Sequence, residues 1–220
     1  MEQNDLSLSR PSTLHYSSEI HPYVSEFIYL CSIKNKKDMT FDNITGSKKL
    51  WSVRLDGEED NEFLKLFYDW SDVMWLRSFF KENINDLSAY FKITDINQAI
   101  KDTIEDSKRL RCVIMDISPE ADLSRLFRPL DNNQASDFML QKEKARLKRT
   151  IGHSSWLRLY AIKLTPGVYI ITGGAIKLTA TMQEREHTRK ELVKMDKVRR
   201  YLLEENIIDD DGFIDYMSEL

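Results

Sequence analysis

The chain has 220 residues, enough for one large or two small domains, and a formal net charge of −4 at pH 7. Apolar residues make up 41% and charged residues 31%, with 7 Gly and 5 Pro, a balance that supports a real core and favours helix over an all-β sandwich. No apolar run approaches the ~18 residues of a membrane span. The start, Met1-Glu-Gln-Asn-Asp, is acidic and polar rather than a signal peptide. Cys31 and Cys112 have no Cys or His at metal-ligand spacing, which argues against a zinc site. The chain reads as soluble and cytoplasmic, with two buried thiols, no metal and no cofactor.

In chain order, residues 1–20 are polar and Ser-rich and read as poorly ordered. Phe27-Ile-Tyr-Leu-Cys-Ser-Ile33 is a short β candidate. Leu50-Trp-Ser-Val-Arg-Leu55 alternates as a strand does and closes on the turn signal Asp56-Gly57. Glu58, Glu59 and Asp60 precede a helix, where negative charge suits the N-terminal dipole. That helix sets Phe63, Leu66, Phe67, Trp70 and Met74 on one stripe, and Ser71-Asp72 restarts a second helix with Trp75, Leu76, Phe79 and Phe80. The aromatic density reads as core packing. Thr94-Asp95 caps a third helix, whose stripe begins Ile96, Ala99, Ile100 and later takes in Leu110, Val113 and Ile114, and Ser118-Pro119 stops it. A short helix is expected at Ala121–Phe127, then a polar loop at Asp131-Asn-Asn-Gln134.

Residues 137–149 read as a basic helix with Lys142, Arg146 and Arg149 on one face and Lys144 and Lys148 on a neighbouring one. A β region runs from about 155 to 179, with strands at Trp156–Ile162 and Val168–Ile171 around the turn Thr165-Pro-Gly167. Thr181-Met-Gln-Glu184 fits a capping box and opens a helix with Leu192, Met195, Val198 and Leu202 on one side. Residues 141–200 hold 15 Lys and Arg against 5 Asp and Glu, whereas residues 201–220 hold seven acidic residues and no Lys or Arg. Asp209-Asp-Asp-Gly212 lacks the ligand spacing of a calcium loop.

A basic island on an acidic background implies a surface for a polyanion, usually RNA or DNA. The motifs of phosphate loops and nucleophile elbows do not occur; Gly173-Gly174 is an isolated pair after a strand. What carries chemistry is a cationic constellation: Arg158 in a strand, Lys177 after the glycine pair, and Arg185, His187, Arg189 and Lys190 in the first turns of the next helix. Arg and Lys can grip an RNA backbone and stabilise a pentacoordinate phosphate. His187 is the nearby group whose ordinary pKa lies near neutrality, hence the natural general acid or base. The expected site is therefore Arg158, Lys177, His187 and Arg185 for catalysis, with Lys142, Arg146, Arg149, Arg189 and Lys190 for nucleic-acid contact. The acidic tail at 204–219 is expected to fold back and mask this surface.

Trp156-Leu-Arg-Leu-Tyr160, a turn, Val168-Tyr-Ile-Ile-Thr172, then Ala175-Ile-Lys-Leu-Thr179 and a helix ending Arg199-Arg-Tyr-Leu202 resembles the C-terminal half of RelE/HigB-like toxins. These are the mRNA-cleaving partners of type II toxin–antitoxin modules. Phe127-Arg-Pro-Leu130 resembles the segment leading into their sheet, so the likeness covers residues 120–205. It implies that Arg158 matches the strand arginine that contacts RNA phosphate and Lys177 the basic position after the last long strand. Where the family commonly has two adjacent basic residues, this chain has Lys177-Leu178.

The resulting expectation is an α+β protein: 1–20 disordered, a mostly helical region at 21–118, a RelE-like domain with a small antiparallel sheet at 119–205, and an acidic tail at 206–220. The expected function is a toxin-like, metal-independent endoribonuclease or RNA-binding protein of a toxin–antitoxin or mobile-element (phage) system, with RNA or the ribosome and an antitoxin as partners. The alternatives are a non-catalytic nucleic-acid- or protein-binding regulator with the same fold, and a structural partner protein using its aromatic helices as an interface.

Overall fold

A computed structural model describes residues 38–116, 121–130, 140–147 and 152–219. The β candidate at 27–33, Cys31, the order of residues 1–20, the stop at 118–119, the loop at 131–134 and Arg149 lie outside the described residues.

β6 (Val168–Ile176) is buried along its whole length, as a near-continuous apolar run flanked on both faces should be. Around it lies one six-stranded mixed sheet in the order β1-β2-β6-β5-β4-β3. β1 (Met39–Asn43) pairs antiparallel with β2 (Leu50–Leu55), and β2 runs parallel to β6 through Leu50↔Tyr169, Trp51↔Ile170 and Ser52↔Ile171. β6, β5 (Leu157–Leu164), β4 (Gln141–Ala145) and β3 (Phe127–Pro129) then form an antiparallel meander. The architecture is thus α+β with a mixed sheet. Strands from the first quarter of the chain share that sheet with strands from its last third.

Helices cover both faces. On one side lie α1 (Glu62–Asp69), α2 (Val73–Glu82), α3 (Ile84–Asp86) with its π-turn extension Leu87–Phe91, and α4 (Ile96–Met115). Their apolar stripe includes Phe63, Leu66, Phe67, Trp70, Leu76 and Phe80 and meets Trp156, Leu157, Leu159 and Ile171 of the sheet. On the other side α5 (Glu186–Glu204) and α6 (Asp210–Ser218) bury Met195, Val198, Leu202 and Phe213 against Tyr160, Ile162 and Ile170. Each such side chain is worth about 1.5–3 kcal/mol when removed from water. The caps are those expected from sequence or their neighbours: Asn61, Asp72 and Asp95 each accept a first-turn N–H, worth about 1 kcal/mol apiece.

Four expectations are corrected. Residues 141–145 form a strand, not a helix. The run Gln-Lys-Glu-Lys-Ala propagates a helix well in isolation, but a short isolated helix is marginal in water, and β5 offers this segment a full hydrogen-bond ladder. The expected helix at 121–127 is one 3₁₀ turn, Leu123–Arg125, before β3. The acidic tail does not lie over the basic surface: Phe213 packs edge-on against Phe41 and Trp51, against β1 and β2 towards the opposite edge of the sheet. Finally, Cys112 and Met74 are exposed, Met74 at 74%.

The glycine pair is explained by packing. A Cβ on Gly174 would lie 2.5 Å from the Arg158 carbonyl oxygen and 2.9 Å from Leu66 Cδ1, and one on Gly173 would collide with the Glu191 carboxylate. The β5–β6 register also shifts between Tyr160 and Ala161, so that Thr172 is the extra residue of a bulge.

Candidate anion-binding site

Register decides which cations meet. Arg128 on β3 pairs with Lys144 on β4, Lys144 pairs with Tyr160 on β5, and Arg158 pairs with Ala175 on β6, two residues before Lys177. Side chains alternate along strands, so Arg128, Lys144, Arg146, Arg158 and Lys177 line one concavity, with a cavity volume of about 740 Å³. Leu126, Leu130, Met182 and Leu192 supply its apolar wall, and the backbone of residues 180–183 its rim. Among the described residues no Asp or Glu lines it.

Three of the five cations are held from behind by backbone oxygens. Arg158 Nη1 donates to the carbonyls of Ser155 (2.7 Å) and Leu157 (2.8 Å). Lys177 Nζ donates to the carbonyls of Thr179 (2.6 Å) and Ala180 (2.5 Å). Lys144 Nζ donates to the Leu130 carbonyl at 2.8 Å. Carbonyls orient a cation without neutralising it, so Arg158 and Lys177 repel one another. Burial and then the Arg146 charge hold Arg158 below its ordinary value. Burial, Arg158 and Lys144 hold Lys177 below the ordinary lysine value, against the opposing pull of Glu184. Tyr160 closes the floor: its side chain is 0% exposed, its hydroxyl has no hydrogen-bond partner among the described residues, and burial keeps it protonated far into alkali.

Of the residues expected from sequence, Arg158, Lys177 and Arg146 come together here. The others do not. Arg185 is clamped bidentately to Asp86 (Nε–Oδ2 2.6 Å, Nη2–Oδ1 2.5 Å). His187 lies on the far side of α5, one ring nitrogen 3.0 Å from the Ile176 carbonyl and its face edge-on to Phe79, with its pKa lowered by burial. Lys142 is tied to Asp196 of α5 at 2.5 Å. Arg189 and Lys190 pair with Glu186 on the outer face of α5. For Arg185, His187, Arg189 and Lys190 the physical reason is the same: α5 passes between the pocket and its own first-turn side chains, so nearness in sequence to Lys177 does not become nearness in space; Lys142 is instead held by its ion pair.

Sequence reading missed Arg128, Lys144 and Tyr160 as site residues. A period-two reading of 142–146 would have put Lys142, Lys144 and Arg146 on one strand face. The expected capping box forms in part: the Thr181 N–H and hydroxyl donate to Glu184 Oε1. It shapes the pocket rim, while the helix itself starts at Glu186 with Arg185 as N-cap. No helix of the described residues is long and apolar enough to cross a membrane, and no metal-ligand cluster occurs among them. No protein-family model, curated protein or solved structure matches this chain.

Proposed function

We propose that this protein binds single-stranded RNA by drawing a phosphodiester into the pocket between β3–β5 and the 180–183 rim. One observation carries the reading: five cations line a single concavity with no carboxylate among its described lining residues. A cationic face built for solvent alone would carry interspersed acids. Here repulsion is retained, and an anion relieves it. The concave shape suits a flexible single strand, whose phosphates can enter, better than the convex backbone of a duplex.

A second reading, a metal-independent endoribonuclease of the toxin type, is favoured by Lys177. A lysine whose proton is loosened by burial and by neighbouring cations can accept the proton of a ribose 2′-hydroxyl. The 2′-oxygen would then attack phosphorus while the bond to the 5′-oxygen breaks, with Arg158 and Arg128 balancing the added charge. The resemblance of residues 120–205 to RelE/HigB-like toxins supports this reading, and with it an antitoxin and the ribosome as partners in a toxin–antitoxin or mobile-element system.

The test is fluorescence anisotropy with a labelled single-stranded RNA at several salt concentrations, followed by gel analysis in EDTA. Salt-dependent binding, with a slope lowered by about 0.7 for each contact removed in Arg158→Ala and Lys177→Ala, supports the proposal. Unchanged binding in both variants overturns it. RNA left intact by the wild-type protein selects binding over cleavage.

A further inference from the structure

A second concavity lies on the other side of α5. β2 and β6 are adjacent and parallel, and their pairing ends at Ser52↔Ile171. The helix after β2, α1, goes to one face of the sheet, and the helix after β6, α5, goes to the other. A crevice must open beyond the carboxyl ends of two such strands, and in open α/β sheets that is where ligands bind. Here it is a cavity of about 230 Å³ between α1, α2, the end of β6 and α5.

Its chemistry is opposite to that of the cation pocket. Glu62, Asp69 and Glu191 face Lys65 and Lys194, leaving one carboxylate in excess. Lys194 of α5 bridges Glu62 (2.5 Å) and Glu191 (2.9 Å), and Lys65 pairs with Glu62 at 3.1 Å. No ion pair is formed by Asp69 among the described residues. One wall is aromatic: Trp75 stacks on Phe79 at 5.5 Å and 11°, and Trp75 remains 37% exposed. On the same two helices Tyr68, Val73 and Met74 are exposed. The surrounding segment 56–72 holds seven Asp and Glu against the single Lys65.

From this juxtaposition we infer that the crevice receives an arginine side chain of a partner protein. The carboxylate excess turns away phosphates and attracts a cation. A guanidinium suits the site better than an ammonium because it is planar, stacks on an indole, and offers a fork of donors to a carboxylate. A free small cation would have no use for the exposed Tyr68, Val73 and Met74 of the two helices that wall the crevice, whereas aromatic and Met side chains accompanying an arginine anchor are what interface cores use. The occupant is therefore a basic, partly apolar segment of another protein. This inference does not rest on RNA binding at the other pocket.

The experiment titrates the protein with N-acetyl-arginine amide, following the Trp indole N–H signals by NMR, with N-acetyl-citrulline amide as the uncharged isostere and agmatine as a free small guanidinium. Saturable millimolar binding of the arginine amide, at least about tenfold weaker binding of citrulline, and a comparable loss in Asp69→Asn and Trp75→Ala support the inference. Both substitutions are at exposed positions, so folding is checked simply by circular dichroism. Lys177→Ala should leave the titration unchanged, which separates this site from the anion pocket. No saturable shift, or binding that survives both crevice substitutions, overturns the inference. Agmatine binding far tighter than the blocked arginine would also overturn it, since the site would then serve a free amine.

Discussion

α5 divides two concavities that treat charge in opposite ways. On the β5 side, Arg158 and Lys177 lean on backbone carbonyls, with no carboxylate among the described residues lining their pocket. On the β2 side, Lys194 is folded between Glu62 and Glu191 and ties α5 to α1. The first arrangement costs the fold something and leaves attraction over for a ligand; the second spends its charges on holding two helices across a crevice. Buried charge alone therefore does not mark a binding site. The partners of the charge do.

That contrast can be broken in order of expected size. Lys194→Met strands the almost buried Glu191 and leaves Glu62 with Lys65 alone, and should cost about 3–5 kcal/mol in chemical denaturation while leaving RNA affinity per folded molecule intact; a lost affinity would mean the two sites are one. Arg158→Ala should do the reverse. RNA binding weakens about tenfold or more, as for loss of a charge-assisted contact, with a far smaller change in stability, because a repulsive neighbour of Lys177 and Arg146 is removed along with two backbone hydrogen bonds.

Lys177→Arg sharpens the comparison by pH. With its pKa held below that of an ordinary lysine, Lys177 loses its charge at lower pH, so wild-type RNA affinity should fall on the alkaline side earlier than about pH 10. The arginine variant should lack that limb, and identical profiles would exclude Lys177 from the contact. Glu143→Gln concerns stability. Glu143 is 3% exposed with an unpartnered Oε2, and burial raises its pKa. A raised folded pKa favours the protonated form, so wild-type stability should decline as pH climbs from the ordinary glutamate range through the raised value. The glutamine variant should show a flatter profile by thermal melts and equal or greater stability at neutral pH. The smallest effect is expected for His187→Gln, which lies outside the cation pocket: RNA binding, and any cleavage, should be unchanged in the same anisotropy and gel assays.

Local pattern carried much of the fold. The strand at 50–55, most of β5, the first half of β6, the helices α1, α2 and α4 with their Asn and Asp caps, and the body of the long helix α5 follow from periodicity and punctuation that any residue window displays, whereas β6 runs on through the glycine pair expected to follow it. Arg158 and Lys177 could be named because a cation inside or just after an apolar strand is conspicuous by itself. Segment 141–145 could not be assigned this way, since its high helix propensity yields to a ladder supplied by a strand a dozen residues on. Nor could Arg128 and Lys144, whose membership depends on register across three strands, or the removal of His187 and Arg185, which depends on which side of α5 faces the sheet.

The amino-acid order thus set the parts: a basic last third, an apolar β6, an aromatic helical layer and an acidic stretch at 56–72. Folding set the neighbours. Strand register and the opposite turns taken after β2 and β6 sorted like charges into one hollow and unlike charges into another, because a side chain's electrostatic surroundings depend on distances through space that no spacing along the chain encodes.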